Sequence, residues 1–346
     1  MLAKLLVSAL LLVEFSPVIT SLNAAACVRR CRRACQRQSH SERDIQLALR
    51  MTHPSADDIT VKALKRANLG RSCTYACTID GGETFIAHKL KFADELRLNQ
   101  QAAERHLAPD VMPGSSEKWL FTPIVQAAPL TIEEAHEEKT LAAVATAIKT
   151  IGTIESELKQ NTLEGIEEQY KTISTSPFFD DASRTLFQQA LQKAQELHAT
   201  LKEQPLVFAH SNLSSRNVFF NPAESQLFFV NWASSGLCYP FYDLASYSIF
   251  FCCDGTEHDT ALLRAYLDHE ADATQLETFN AVKKMFRILD AFELFGTLHN
   301  RQVAISLPTG LETFEHYQTI YTNNSPEGAD VMLPLAYTQL ARALAA

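Results

Sequence analysis

The stretch VFAHSNLSSRNVFF, residues 207–220, sets a polar loop from His210 to Asn217 between two short apolar runs. Runs this short and this rich in Val and Phe read as strands, so the segment is a strand, a loop dense in side-chain donors and acceptors, and a second strand. An Asn221-Pro222 turn follows, then LFFVNW at residues 227–232, which makes the second strand one arm of a β-hairpin. The polar groups His210, Asn212 and Asn217 are thereby fixed close to Asn231 at the end of the hairpin.

Working outward, both flanks of this hairpin have helical periodicity. Upstream, TIEEAHEEKTLAAVATAIKTI (residues 131–151) places Leu141, Val144, Ala145 and Ile148 on one face, and a second helix is expected from about Asp181 to Lys202. Beyond Asp243 the pattern is helical throughout. Before residue 126 it changes. ITVKAL, CTYACTI and TFIAHKL between Ile59 and Leu90 are β-like, with Asp80-Gly81-Gly82 as the turn between the second and third. DELRLNQQAAERHLA then reads as a helix that stops at Pro109, and KWLFTPIV as another strand. The expected organisation is a basic, Cys-containing linker at 27–50, a sheet lobe at 51–126 and a mainly helical lobe at 127–346. The sheet of the smaller lobe is expected to have five antiparallel strands.

With 346 residues, 46% hydrophobic and 21% charged, the chain can bury a sizeable core and is neither disordered nor fibrous. Its formal charge of −9 conceals an asymmetry: residues 1–50 are net basic and the rest is strongly acidic. An acidic body offers no basic stripe to neutralise phosphates, which argues against nucleic-acid binding. At the N-terminus, the apolar run LLVSALLLV, Pro17 and Ala24-Ala25-Ala26 have the outline of a signal peptide over residues 1–26. The arginines at 29, 30, 32, 33 and 37 lie downstream, however, and residues 5–22 are about long enough to span a bilayer, which suits an uncleaved anchor with a cytoplasm-facing body. A cleaved signal, an anchor and a loosely attached apolar tail all stay open, so the expected location is the secretory pathway or a membrane surface. Cys27, Cys31 and Cys35 recur every four residues, a pattern suited to acylation beside a membrane.

The loop His210-Ser211-Asn212-Leu213-Ser214-Ser215-Arg216-Asn217, with Val230-Asn231-Trp232-Ala233 and Asp243-Leu244-Ala245, resembles the catalytic core of the choline/ethanolamine kinases and aminoglycoside phosphotransferases. That family's pattern is H-x-D-x4-N, then an Asp on a following strand, then D-L/I-A. Ala87-His88-Lys89 is similar to its nucleotide-clamping strand, and FRILDAFELFGTLH (residues 286–299) to a helix bearing two tryptophans three apart, here Phe292 and Phe295. The resemblance implies a two-lobed α+β, protein-kinase-like fold with a small antiparallel-sheet N-lobe and a mainly helical C-lobe.

The resemblance also implies roles. Lys89, held by Glu104, would bind nucleotide phosphates together with Gly70 and Ser72; Asn217 and Asn231 would be the metal positions; Asn212 stands at the base position, with His210 and Asp243 supporting the loop. ATP and Mg²⁺ are the implied cofactors, both weakened or lost, because the base and metal aspartates of the family are asparagines here. An amide is no general base at neutral pH, an aid worth about 10²–10⁴ in rate, and it removes a full charge from a hard-cation site. Trp232, Phe292 and Phe295 would wall a substrate pocket, although phenylalanines at helical spacing are by default core, and Lys89 and Glu104 are equally readable as a solvated pair. The expected function is a pseudokinase that binds nucleotide, a small amine or a protein partner. The alternative is an active or rewired ATP-dependent phosphotransferase on choline, ethanolamine or another small hydroxyl substrate.

Overall fold

A computed structural model describes residues 41–64, 74–304, 311–323 and 329–345. The N-terminal apolar segment, its arginines and cysteines up to residue 40, and Gly70 and Ser72 lie outside the described residues. Among the described residues no helix is long and apolar enough to cross a membrane.

Helix α1 covers residues 41–52, burying Ile45 and Leu49 one turn apart. Four antiparallel strands follow in the order β1 (Ile59–Leu64), β2 (Thr74–Ile79), β3 (Thr84–Lys89), β4 (Trp119–Pro123). The β2–β3 connection turns at Asp80 and Gly81, with φ of 49° and 70°, and Gly82 N donates to Ile79 O at 2.9 Å. Two consecutive left-handed residues make the type I′ turn that the Asp-Gly pair favours. Alternate residues Tyr75 and Cys77, Phe85 and Ala87, Trp119 and Phe121 line one face and close a small core with α1.

The fifth strand is a correction. The next extended segment, β5 (Ala128–Pro129), leaves this sheet and pairs instead with β7 of the larger lobe. The pairing is non-local, so no local pattern announces it.

The larger core is built around helices. In chain order these are α2 (Asp94–Glu104), α3 (Ile132–Ala135), α4 (Glu138–Ile151), α5 (Thr162–Ser174), α6 (Asp181–Leu201), α7 (Tyr242–Phe250), α8 (Glu257–Leu267), α9 (Ala273–Asn300), α10 (Phe314–Asn323) and α11 (Ala329–Leu344). The helix expected over residues 131–151 breaks at His136 and Glu137 into α3 and α4. The 28-residue α9 is the spine: an Asp272/Gln275 capping box starts it, and it packs on α5, α6, α7 and α11. At about 1.5 Å per residue it runs roughly 40 Å, long enough to carry both core and cavity faces.

Two small sheets hold the polar loop. Strand β6 (Val207–Ala209) pairs with β9 (Gly236–Cys238), while β7 (Val218–Asn221) pairs with β8 (Gln226–Phe229). The loop 210–217 therefore leaves one sheet and enters the other, anchored at both ends. Gly236 is needed where β9 passes residues 158–160, because a Cβ there would lie 2.8 Å from Leu158 O.

Candidate functional site

Asp243, in the first turn of α7, sends its carboxylate back to the loop: Oδ2 accepts from His210 N and Oδ1 from Ser211 N, both at 2.8 Å. Ser211 has φ of 68°, and these two bonds hold it in that left-handed turn. Leu213 N donates to Ser246 Oγ at 3.0 Å, which ties the loop to α7 a second time. Burial pushes Asp243 up to about 7, partly offset by the two N–H donors. His210 is fully buried against Trp232, with ring centroids 4.7 Å apart. Its Nε2 lies 3.2 Å from Val230 O, a pure acceptor, so the Nε2–H form donates there, and burial lowers its pKa to about 4. Both residues brace the loop from behind and neither lines the cavity in front of it.

The three asparagines form a chain of amides. Asn217 Nδ2 donates to the backbone oxygen of Asn212 at 2.9 Å. A carbonyl can only accept, so Asn217 must direct its nitrogen there and its Oδ1 the other way. Asn231 Nδ2 meets that Oδ1 at 3.5 Å, and the orientation of both amides follows. Asn231 sits in the left-handed region (φ 69°, ψ 61°), which asparagine tolerates, just before the turn Trp232–Ser234. A carboxylate at 231 would set oxygen against oxygen, a gap that a cation could bridge. The amide fills the gap with an N–H group. These residues therefore do not fit Mg²⁺, and among the described residues no group of three or more His, Cys, Asp or Glu side chains is placed to hold a metal ion.

Lys89 and Glu104 are not brought together. Both side chains are exposed, and among the described residues no ion pair joins them. The buried acid of α2 is Glu95, nine residues earlier. At about 100° per residue that separation puts the two glutamates on opposite faces of the helix. Glu95 Oε2 accepts from Lys91 N at 2.7 Å; burial raises its pKa and the Lys91 charge opposes the rise.

In front of the loop lies a cavity of about 420 Å³. Asn212, Arg216, Asn217 and Asn231 line its loop side, and Asp290 and Glu293 of α9 line the other. Trp232, Phe292 and Phe295 do not line it. Phe292 and Phe295 are fully buried on another face of α9 and pack on Phe187 with centroids 5.9 and 4.7 Å away, and Trp232 is buried with Nε1 donating to Phe229 O at 3.0 Å. The expected aromatic walls are thus core side chains.

Arg216, Asp290 and Glu293 were not singled out by the sequence, although two carboxylates inside the apolar run FRILDAFELFGTL were a usable signal. Burial raises Asp290 to about 6, against the pull of Gln339 Nε2, a donor at 2.9 Å, and of Arg287. Surrounding protein raises Glu293 to about 7, and the neighbouring Asp290 charge adds to this. Glu293 remains in contact with solvent through the open cavity. Tyr321 also lines the cavity; burial raises its pKa, Arg216 pulls it down, and Asp290 and Glu293 push it further up. Asp254, the other carboxylate with metal-ligand chemistry in this lobe, is committed elsewhere, paired to Lys283 Nζ at 2.7 Å and to Arg287.

Residues 94–299 match the family model for choline/ethanolamine kinase. No curated protein matches the chain. Among solved structures, a choline/ethanolamine kinase family protein from Mesorhizobium loti aligns with TM-score 0.59 at 17% identity, covering 88% of this chain and 98% of its own. LicA in complex with AMP aligns with TM-score 0.59 at 14% identity, covering 88% and 99% respectively. The amicoumacin kinase in complex with AMP-PNP and Ca²⁺ aligns with TM-score 0.54 at 15% identity, covering 89% and 95%. At these identities the three structures speak for the fold alone.

Proposed function

Because this chain belongs to the choline/ethanolamine kinase family, we propose that it keeps the family's cleft as a small-molecule binding site and has lost phosphoryl transfer. The observation that carries this reading is the amide chain Asn212–Asn217–Asn231, in which one would-be metal ligand donates a hydrogen bond to the other. Phosphoryl transfer needs charge neutralisation by metal ions and a group that positions or deprotonates the nucleophile. The first is opposed by an N–H where a carboxylate oxygen is required. The second is opposed by Asn212, which has no basic atom to accept a proton. The braces behind the loop, Asp243 and the neutral His210, are in place, and they preserve the loop's shape as a wall for a ligand.

Nucleotide is the first ligand to examine, since AMP and AMP-PNP occupy the similar structures. The test is a thermal-shift titration of the full chain with ATP, with and without Mg²⁺, alongside ADP release in the presence of choline or ethanolamine. The expected outcome is a shift indifferent to Mg²⁺ and no ADP above background. In Asn231→Asp the freed site should make the shift Mg²⁺-dependent. Wild-type turnover that requires Mg²⁺ would sink the reading.

A further inference from the structure

The cavity carries charges of both signs that do not neutralise each other. Arg216, one residue before Asn217, holds its guanidinium 4.8 Å from the centre of the Tyr321 ring, and its Nη2 is buried without a hydrogen-bond partner. Across the same cavity stand Asp290 and Glu293. Among the described residues no ion pair joins Arg216 to either carboxylate. Asp290 takes a hydrogen bond from Gln339, and Glu293 takes none from any described residue. An orphaned guanidinium donor asks for an anion with oxygen acceptors, and acceptor-only carboxylates ask for a cation with N–H donors. A cavity of about 420 Å³ admits a molecule of metabolite size that could meet both demands at once.

We propose that this cavity binds a small zwitterion, with its phosphate or carboxylate on Arg216 and its ammonium on Asp290 and Glu293. The proposal rests on the reading that the cleft binds without transferring phosphate, and it adds the class of ligand. Arg216 is the recognition element for the anion: held against Tyr321, its planar fork loses little freedom on taking a bidentate partner. Asp290 and Glu293, separated by three residues on α9, face the cavity one above the other and can share one ammonium. An ammonium with N–H groups gains charge-assisted hydrogen bonds there that a trimethylammonium cannot make.

The experiment is calorimetric titration of the full chain with O-phosphoethanolamine, and separately with β-alanine, ethanolamine and inorganic phosphate. One of the two zwitterions should bind at least about tenfold more tightly than either ethanolamine or phosphate, and which one does so identifies the anion. Arg216→Gln and Glu293→Gln should each weaken that zwitterion by about tenfold or more, while Arg216→Lys recovers part of the loss. If neither zwitterion exceeds its separate halves on the wild-type chain, a comparison that needs no variant to fold, the proposal is overturned. It is equally overturned if both glutamine variants melt like wild type and bind the zwitterion unchanged. Turnover bears on the preceding reading instead: ADP release would remove that reading whatever the zwitterion does, and loss of zwitterion preference without turnover removes this proposal alone.

Discussion

Helix α9 carries two groups of charges on successive turns, and they are treated in opposite ways. At Lys283 and Arg287 every charge has a partner: Lys283 Nζ lies 2.7 Å from Asp254 and 2.5 Å from Asp259, and Arg287 pairs with Asp254 and Gln339. Burial alone would raise Asp254, but Arg287 and Lys283 overcome it and hold the carboxyl near about 2. Two turns on, Asp290 and Glu293 face a cavity and are pushed the other way, to about 6 and about 7. The first group closes on itself and fastens α9 to the segment after α7. The second is left open, and an open set of charges on a rigid element is how a fold holds a place for something it does not contain.

The sharpest way to break this contrast is Asp254→Ala. It leaves the guanidinium of Arg287 and half of the Lys283 pairing uncompensated inside the core, and removing one partner of a buried pair typically costs about 3–5 kcal/mol. Urea unfolding should show that loss as a lowered midpoint, whereas Asp290→Asn, which deletes a charge lacking a full partner, should leave the midpoint close to wild type. Equal losses from the two variants would mean that the two groups are not different in kind.

The two faces of α9 differ in the same way. Phe295 packs on Phe187, on Phe179 at 5.8 Å and on Tyr337 at 5.0 Å, all between ring centroids. Phe295→Ala should therefore destabilise by about 3 kcal/mol or more, as core phenylalanine truncations do, and leave ligand affinity unchanged in the fraction that stays folded. A selective loss of amine binding with unchanged stability would restore Phe295 to the pocket wall.

Much of this was legible where the information is local. The loop His210–Asn217, Asn231 and Asp243 lie close together in the chain, and the Asp80-Gly81 turn carries its own conformational requirement. What could not be read depended on how distant elements meet. Strand β5 takes β7 as its partner, a choice made across about 90 residues. Which of Glu95 and Glu104 is buried depends on the rotation of α2 against the larger core, and which side of α9 faces the cavity depends on α5, α6 and α11 packing around it. Helical spacing showed that Phe292 and Phe295 share a face with each other, and it held no information on what that face meets.

The smallest effect discriminates most finely, because it follows protons and needs no ligand. Glu293 has its folded-state pKa raised to about 7, above the usual carboxylate value, so the folded protein keeps this proton longer than the unfolded chain does. The stability that this provides is fully present below the unfolded pKa, near 4.3, and is lost as pH rises through about 7. Asp290, raised to about 6, acts in the same direction over a lower window. Asp254 acts oppositely, since its contribution is present above its unfolded value and disappears as pH falls toward about 2. Glu293→Gln should therefore melt like wild type at pH 4 and gain roughly 1–3 °C over it at pH 8, the modest size reflecting solvent contact through the cavity. Adding the zwitterion should reverse the order at pH 8, because the wild-type carboxylate then has its cation and the amide does not. A variant that melts below wild type at pH 8 without ligand would mean that Glu293 already has a partner in the fold, and the distinction between the closed and open halves of α9 would fail at that residue.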